Sequence, residues 1–132
     1  MCMPNTPESV AALAADSDQL ALEGATDLGT ALAAAASPAW DTAPGDTPGL
    51  RDFFLLSDGA PTWGESEPYA LSARLRACSS GAVFAYTTGL AGTDTRLLGH
   101  LARESGGAVF SVVGEAEVAA AATAHRARPW RI

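Results

Sequence analysis

The chain contains no lysine: all eight of its basic residues are arginine. A P-loop lysine, a Schiff-base lysine and a lysine general base are therefore excluded together. Cysteine is nearly as scarce. Cys2 and Cys78 are too few and too far apart for a disulfide framework, and no Cys-x-x-Cys or His-x-x-x-His spacing points to zinc. Long apolar runs are missing as well. None approaches the roughly 18 residues that a membrane span needs, and the opening MCMPNTPESV has neither the basic nor the apolar region of a signal peptide. Positive charge is outweighed by fifteen acidic side chains, for a formal net charge of −7. Such a chain repels phosphate backbones and anionic headgroups, so neither nucleic acid nor a membrane surface is an expected partner. Enzyme signatures are lacking too: Gly-x-Ser-x-Gly, Gly-x-Gly-x-x-Gly and an adjacent Cys and His do not occur. Catalysis is not expected.

What is present is core material. Apolar residues make up 48% of the 132 residues and charged ones only 17%, against a typical charged share of about 25%, and the length suits one domain. Thr6 as cap and Pro7 at a first helical position open a predicted helix over residues 8–22, with Asp16-Ser17-Asp18 as its weak spot. After the interruption at Gly24, the Ala-rich residues 28–36 predict a second helix, with Thr26 or Asp27 placed to cap it. Residues 37–51, rich in proline and glycine, read as a loop.

Three short apolar runs follow, at residues 53–56, 82–86 and 108–113. Each is bounded by turn residues and each predicts a strand, the first buried on both faces. Between them lie predicted helices at 68–78 and 95–104, the second capped by Asp94 and stopped by Gly106-Gly107, and a last helix spans 115–126. Strands alternating with helices of about ten residues mean β-α-β crossovers. The predicted class is α/β, a parallel sheet covered by helices.

In open parallel sheets ligands bind beyond the carboxyl ends of the strands. The residues there are Ser57-Asp58-Gly59 through Glu65, with the Gly24-Ala25-Thr26-Asp27 turn as a second loop able to converge on them. A hydroxyl beside a carboxylate is oxygen chemistry of the kind hard cations take. Trp63 and Glu65 are exposed candidates for partner contact, or else fold onto their own domain. Thr26-Asp27 could equally be a plain cap and Asp58 a plain turn residue. His100 and His125 have no sequence neighbour that makes them a ligand or base and read as structural or solvated, and Cys78 reads as a small core residue.

The phrases GATDLGTAL, FFLLSDGAPTWGE and VFAYTTGLAGTDTRLLGHLARESGGAVF, in that order, resemble the later two-thirds of a von Willebrand factor type A (VWA) domain, over about residues 10–125. The likeness is to the bacterial members that accompany inter-alpha-trypsin-inhibitor-type modules. It implies a Rossmann-like, doubly wound parallel sheet, here limited to about three strands with flanking helices, so that residues 1–132 would be a partial VWA-like domain. It also implies a metal-ion-dependent adhesion site, to which Thr26 and Asp58 correspond, holding Mg²⁺, Mn²⁺ or Ca²⁺ while an acidic residue of a protein partner completes the metal shell.

The site's first motif, Asp-x-Ser-x-Ser, does not occur in the sequence. A fragment or a reduced descendant is the expectation that follows, with metal bound weakly or not at all. The function implied is a metal-dependent protein-binding module. The alternatives are a structural remnant or assembly domain without metal, and an accessory domain of an ATPase chaperone system. A strand 53–56 without its family neighbour would expose an unpaired edge, so self-association through that edge is a further expectation.

Overall fold

The computed structural model describes residues 3–20, 25–36, 52–78, 81–87 and 93–126. They form α1 (Pro7–Asp18), α2 (Leu28–Ala36), β1 (Phe53–Leu56), α3 (Pro68–Cys78), β2 (Val83–Thr87), α4 (Thr95–Ser105), β3 (Ala108–Ser111) and α5 (Glu115–Arg126). The predicted loop at 37–51 and the turn after β2 lie outside the described residues, as does the side chain of Cys78, which ends α3.

The sheet is parallel, in the order β1-β2-β3. Phe54 stands opposite Phe84 in β1–β2, and Tyr86 opposite Phe110 in β2–β3. Because side chains alternate along a strand, this register assigns Phe53, Leu55, Val83 and Ala85 to one face and Phe54, Leu56, Phe84, Tyr86 and Phe110 to the other. The fold is the predicted α/β class, a three-stranded parallel sheet flanked by helices in a Rossmann-like arrangement.

The first face carries the core. Leu28 and Leu32 of α2, Leu71 and Leu75 of α3, and Leu97 and Leu101 of α4 close over Val83, with Phe53 and Leu55 packed against them. The stripe Leu97, Leu98 and Leu101 is fully buried, as helical spacing requires of residues one turn apart. α4 begins at Asp94, whose carboxylate takes the Leu97 N–H at 3.0 Å, and it ends at Gly106 in the left-handed conformation. Both ends match the sequence reading.

Both histidines, read as structural or solvated, are structural. His100 is buried between α3 and α4, 3.1 Å from Ser72 Oγ and edge-on to the Tyr69 ring. Ser72 donates its own hydrogen to the Tyr69 carbonyl at 3.1 Å. The hydroxyl also meets His100 Nε2, with the donor in that bond set by the imidazole tautomer. The pair ties two helices together. His125 of α5 lies on the opposite face among the rings of Phe54, Phe84, Tyr86 and Phe110, with Nδ1 3.0 Å from the Tyr86 hydroxyl. Burial pushes that phenol above its ordinary value near 10. Sequence spacing could not show either partner, because they are 28 and 39 residues distant.

β1 departs from expectation. It is covered on one face only: Phe54 is 59% and Leu56 79% exposed, while Phe53 and Leu55 are half-buried. The reason is the distribution of helices, since α2, α3 and α4 share the face of Phe53 and Leu55, whereas α5 is the helix packed on the other and lies against β3. The first predicted helix is shorter than expected, ending at Asp18 within the weak spot, and none of its residues is buried. Its cap is as read, with Thr6 Oγ1 accepting from Ser9 N. No helix among the described residues is long and apolar enough to cross a membrane.

Candidate functional site

At the carboxyl edge of the sheet α2, α3 and α4 start, and each of these three starts is closed by an acid. Asp27 caps α2: its two carboxylate oxygens accept the backbone N–H and the hydroxyl of Thr30, both at 2.9 Å. Glu67 takes the Ala70 N–H at 2.9 Å at the start of α3, and Asp94 does the same for α4. These carboxylates satisfy helix N–H groups that have no partner within the helix. The two donors from Thr30 hold the Asp27 carboxyl below its ordinary value of 3.8; burial opposes them, and the Gly29 N–H and the Arg74 charge add lesser effects in the lowering direction. Of the two caps the sequence allowed for α2, the structure uses Asp27.

Two loops meet along this edge. Thr26 lies in one and is bound by its backbone to the other: its N–H donates to Thr62 Oγ1 at 2.8 Å, and its carbonyl accepts from the N–H groups of Thr62 and Trp63 at 3.0 and 3.2 Å. Both backbone groups are thus engaged, and the residue itself is exposed. Asp58 begins the second loop. Its Oδ1 accepts the Ala60 N–H at 3.0 Å, and its carbonyl accepts the Asp94 N–H at 2.6 Å. The Asp58 loop therefore joins the start of α2 to the start of α4.

Two glycines permit this path. Gly59 and Gly64 have φ of +70° and +72°, and a Cβ on Gly64 would stand 2.6 Å from the Asp27 carboxylate. Only a residue without a side chain adopts that conformation and that approach together.

Thr26 and Asp58, the two residues read as metal ligands, thus lie on loops that the structure ties together, the tie running through Thr62 and Trp63 rather than through either side chain. Thr62 was not singled out in the sequence. A threonine three residues after an Asp-Gly pair carries no signal of its own until the fold brings Thr26 to it. Trp63 is 70% exposed and Glu65 half-buried, with its Oε1 accepting the Glu67 N–H at 2.9 Å.

Chemically, the edge offers oxygen ligands and negative charge. A hard divalent cation wants about six oxygens. One hydroxyl from Thr26 and one carboxylate from Asp58, already bonded to Ala60, supply a minority of them, and no group of three or more His, Cys, Asp or Glu able to hold a metal occurs among the described residues. The donor types fit such a cation; their number falls short. Neither a scan against protein-family models nor a search of curated proteins returns a match to this chain.

Proposed function

We propose that this protein is a binding module that engages a protein partner through the loops at the carboxyl edge of its sheet, after the manner of VWA domains. Thr26 and Asp58 would contribute oxygen ligands to a divalent cation, Mg²⁺ or Mn²⁺, and the partner an acidic side chain to the same ion. The observation that carries this reading is the fixed junction of the two loops, with Thr62 and Trp63 holding Thr26 on the loop that Asp58 begins. A cation that sheds water reluctantly favours ligands carried on loops already fixed to one another. The acidic caps around it add an electrostatic field that concentrates cations. When bound, the ion would bridge the two proteins; the role of this chain's own residues is to keep two oxygens in place and the edge negative.

The shortage of ligands in this chain gives the expected affinity. Mn²⁺ titrated into the purified protein, followed by water-proton relaxation, should show weak binding that falls further in Thr26→Ala and Asp58→Ala. Restoring an upstream segment that carries Asp-x-Ser-x-Ser should raise it. Tight binding to the wild-type chain that survives both substitutions together would place the metal elsewhere and sink the proposal. The same shortage favours the second reading, an assembly domain without metal, which predicts no binding in any of these proteins.

A further inference from the structure

We propose that α5 is a detachable strap, fastened at its far end by His125, and that it opens as one unit while the rest of the domain stays folded. Its hold on the core is slight. The main apolar cluster is built by leucines of α2, α3 and α4 around Val83 and contains no residue of α5. Of the twelve residues of the helix, Ala121 is the one that is buried, and Val118, its largest aliphatic side chain, is exposed. Losing α5 would therefore leave that cluster intact.

The fastening lies in the last turn. α5 packs along β3, yet the His125 ring reaches all three strands: it stands 4.4 Å from Phe84 and edge-on to it, 5.3 Å from Phe54 and 5.9 Å from Phe110, with Nδ1 3.0 Å from the Tyr86 hydroxyl. Such ring pairs attract beyond the area they bury. Phe84, against this ring, is 1% exposed, whereas Phe54, opposite it in the ladder and on the same face, is 59% exposed. The near end of the helix is a link. Val112 N–H donates to the Thr87 carbonyl at 2.7 Å beside the end of β3; then come Val113, which is exposed, and Gly114, where an added Cβ would meet only the Glu117 carboxylate, at 3.2 Å. Glycine gives such a link its backbone freedom. A segment with few buried side chains opens at a lower free energy than the core. Released, a helix of twelve residues is marginal in water, so its amides become exposed together.

Hydrogen exchange on the full chain tests the proposal amide by amide. In the wild type the α5 amides should share one protection factor, above that of a synthetic peptide of residues 112–126 and roughly tenfold or more below that of the slowest α4 amides. His125→Ala should lower the α5 protection by a further tenfold or so, or to the peptide value, while the α4 amides keep theirs. Tyr86→Phe, which keeps the rings and removes the bond, should lower it by a smaller factor, again in α5 alone. Protection of α5 that neither substitution moves would show that the helix is fastened elsewhere and would overturn the proposal. Loss of α4 protection together with that of α5 in His125→Ala, or one common protection factor for both helices in the wild type, would show that α5 opens only with the whole domain and would also overturn it. Wild-type α5 amides at the peptide rate would show that nothing fastens the helix, with the same result.

Discussion

Replacing Gly59 by alanine tests whether the loop that leaves β1 is packed against α4 as tightly as its geometry indicates. The residue sits at φ +70°, and a Cβ there would lie 2.6 Å from Leu98 Cγ, 2.7 Å from the Asp94 carbonyl oxygen and 3.0 Å from Leu98 Cδ1. Neither neighbour can withdraw easily. Leu98 is fully buried, and the Asp94 carbonyl accepts the Leu98 N–H in the first turn of α4. The left-handed conformation costs an L-residue about 1–2 kcal/mol, and forcing an extra methyl into packed surroundings about 1–3 kcal/mol more. The sum, about 2–5 kcal/mol, is a large share of the roughly 5–15 kcal/mol that holds a domain folded. In urea, with a slope of about 1–3 kcal/mol per molar, the midpoint followed by circular dichroism should fall by roughly 1–3 M. Gly99→Ala is the control: it lies inside α4 with nothing within 4 Å of the added carbon, so it should stabilise by about 0.5–1 kcal/mol. A Gly59→Ala midpoint equal to or above that of the wild type would refute the account of the loop.

Ser72→Ala removes the hydrogen-bond partner of the buried His100 Nε2 and should cost about 1–3 kcal/mol by the same urea measurement, since an unpaired buried polar group loses its solvation without return; an unchanged midpoint would show that the pair contributes nothing to holding α3 on α4. Asp27 gives a pH dependence of definite sign. Its folded-state carboxyl titrates below the ordinary 3.8, so its contribution is complete above that value and is lost as pH falls through the lower, folded one. Asn caps a helix as well as Asp but does not titrate, so Asp27→Asn should match the wild type near neutrality and lose stability less steeply below about pH 4. Equal acid slopes in the two proteins would show that Asp27 titrates alike folded and unfolded.

The amino-acid order by itself determined the elements and their class. The runs Phe53-Phe54-Leu55-Leu56 and Val83-Phe84-Ala85-Tyr86 are too short for helices and too apolar for loops. The helix ends were legible because Thr6, Asp94 and Gly106 act on groups three or four residues away, within the reach of local geometry. Tertiary structure decided everything that depends on residues far apart in the chain. β1 was read as buried on both faces, because apolarity says that a strand prefers burial but not whether a second helix is there to provide it. His100 and His125 gained partners 28 and 39 residues away, where no local pattern reaches. Within the candidate site, Thr26 and Asp58 were visible as residue types suited to a cation, but that their loops meet rests on Thr62, and that the Asp58 loop can lie against Asp27 and α4 rests on two glycines in the left-handed conformation. Periodicity and capping are short-range and are written in neighbouring residues. The convergence of loops is set by how the sheet and helices pack, and only the folded chain brings Thr26 to Thr62.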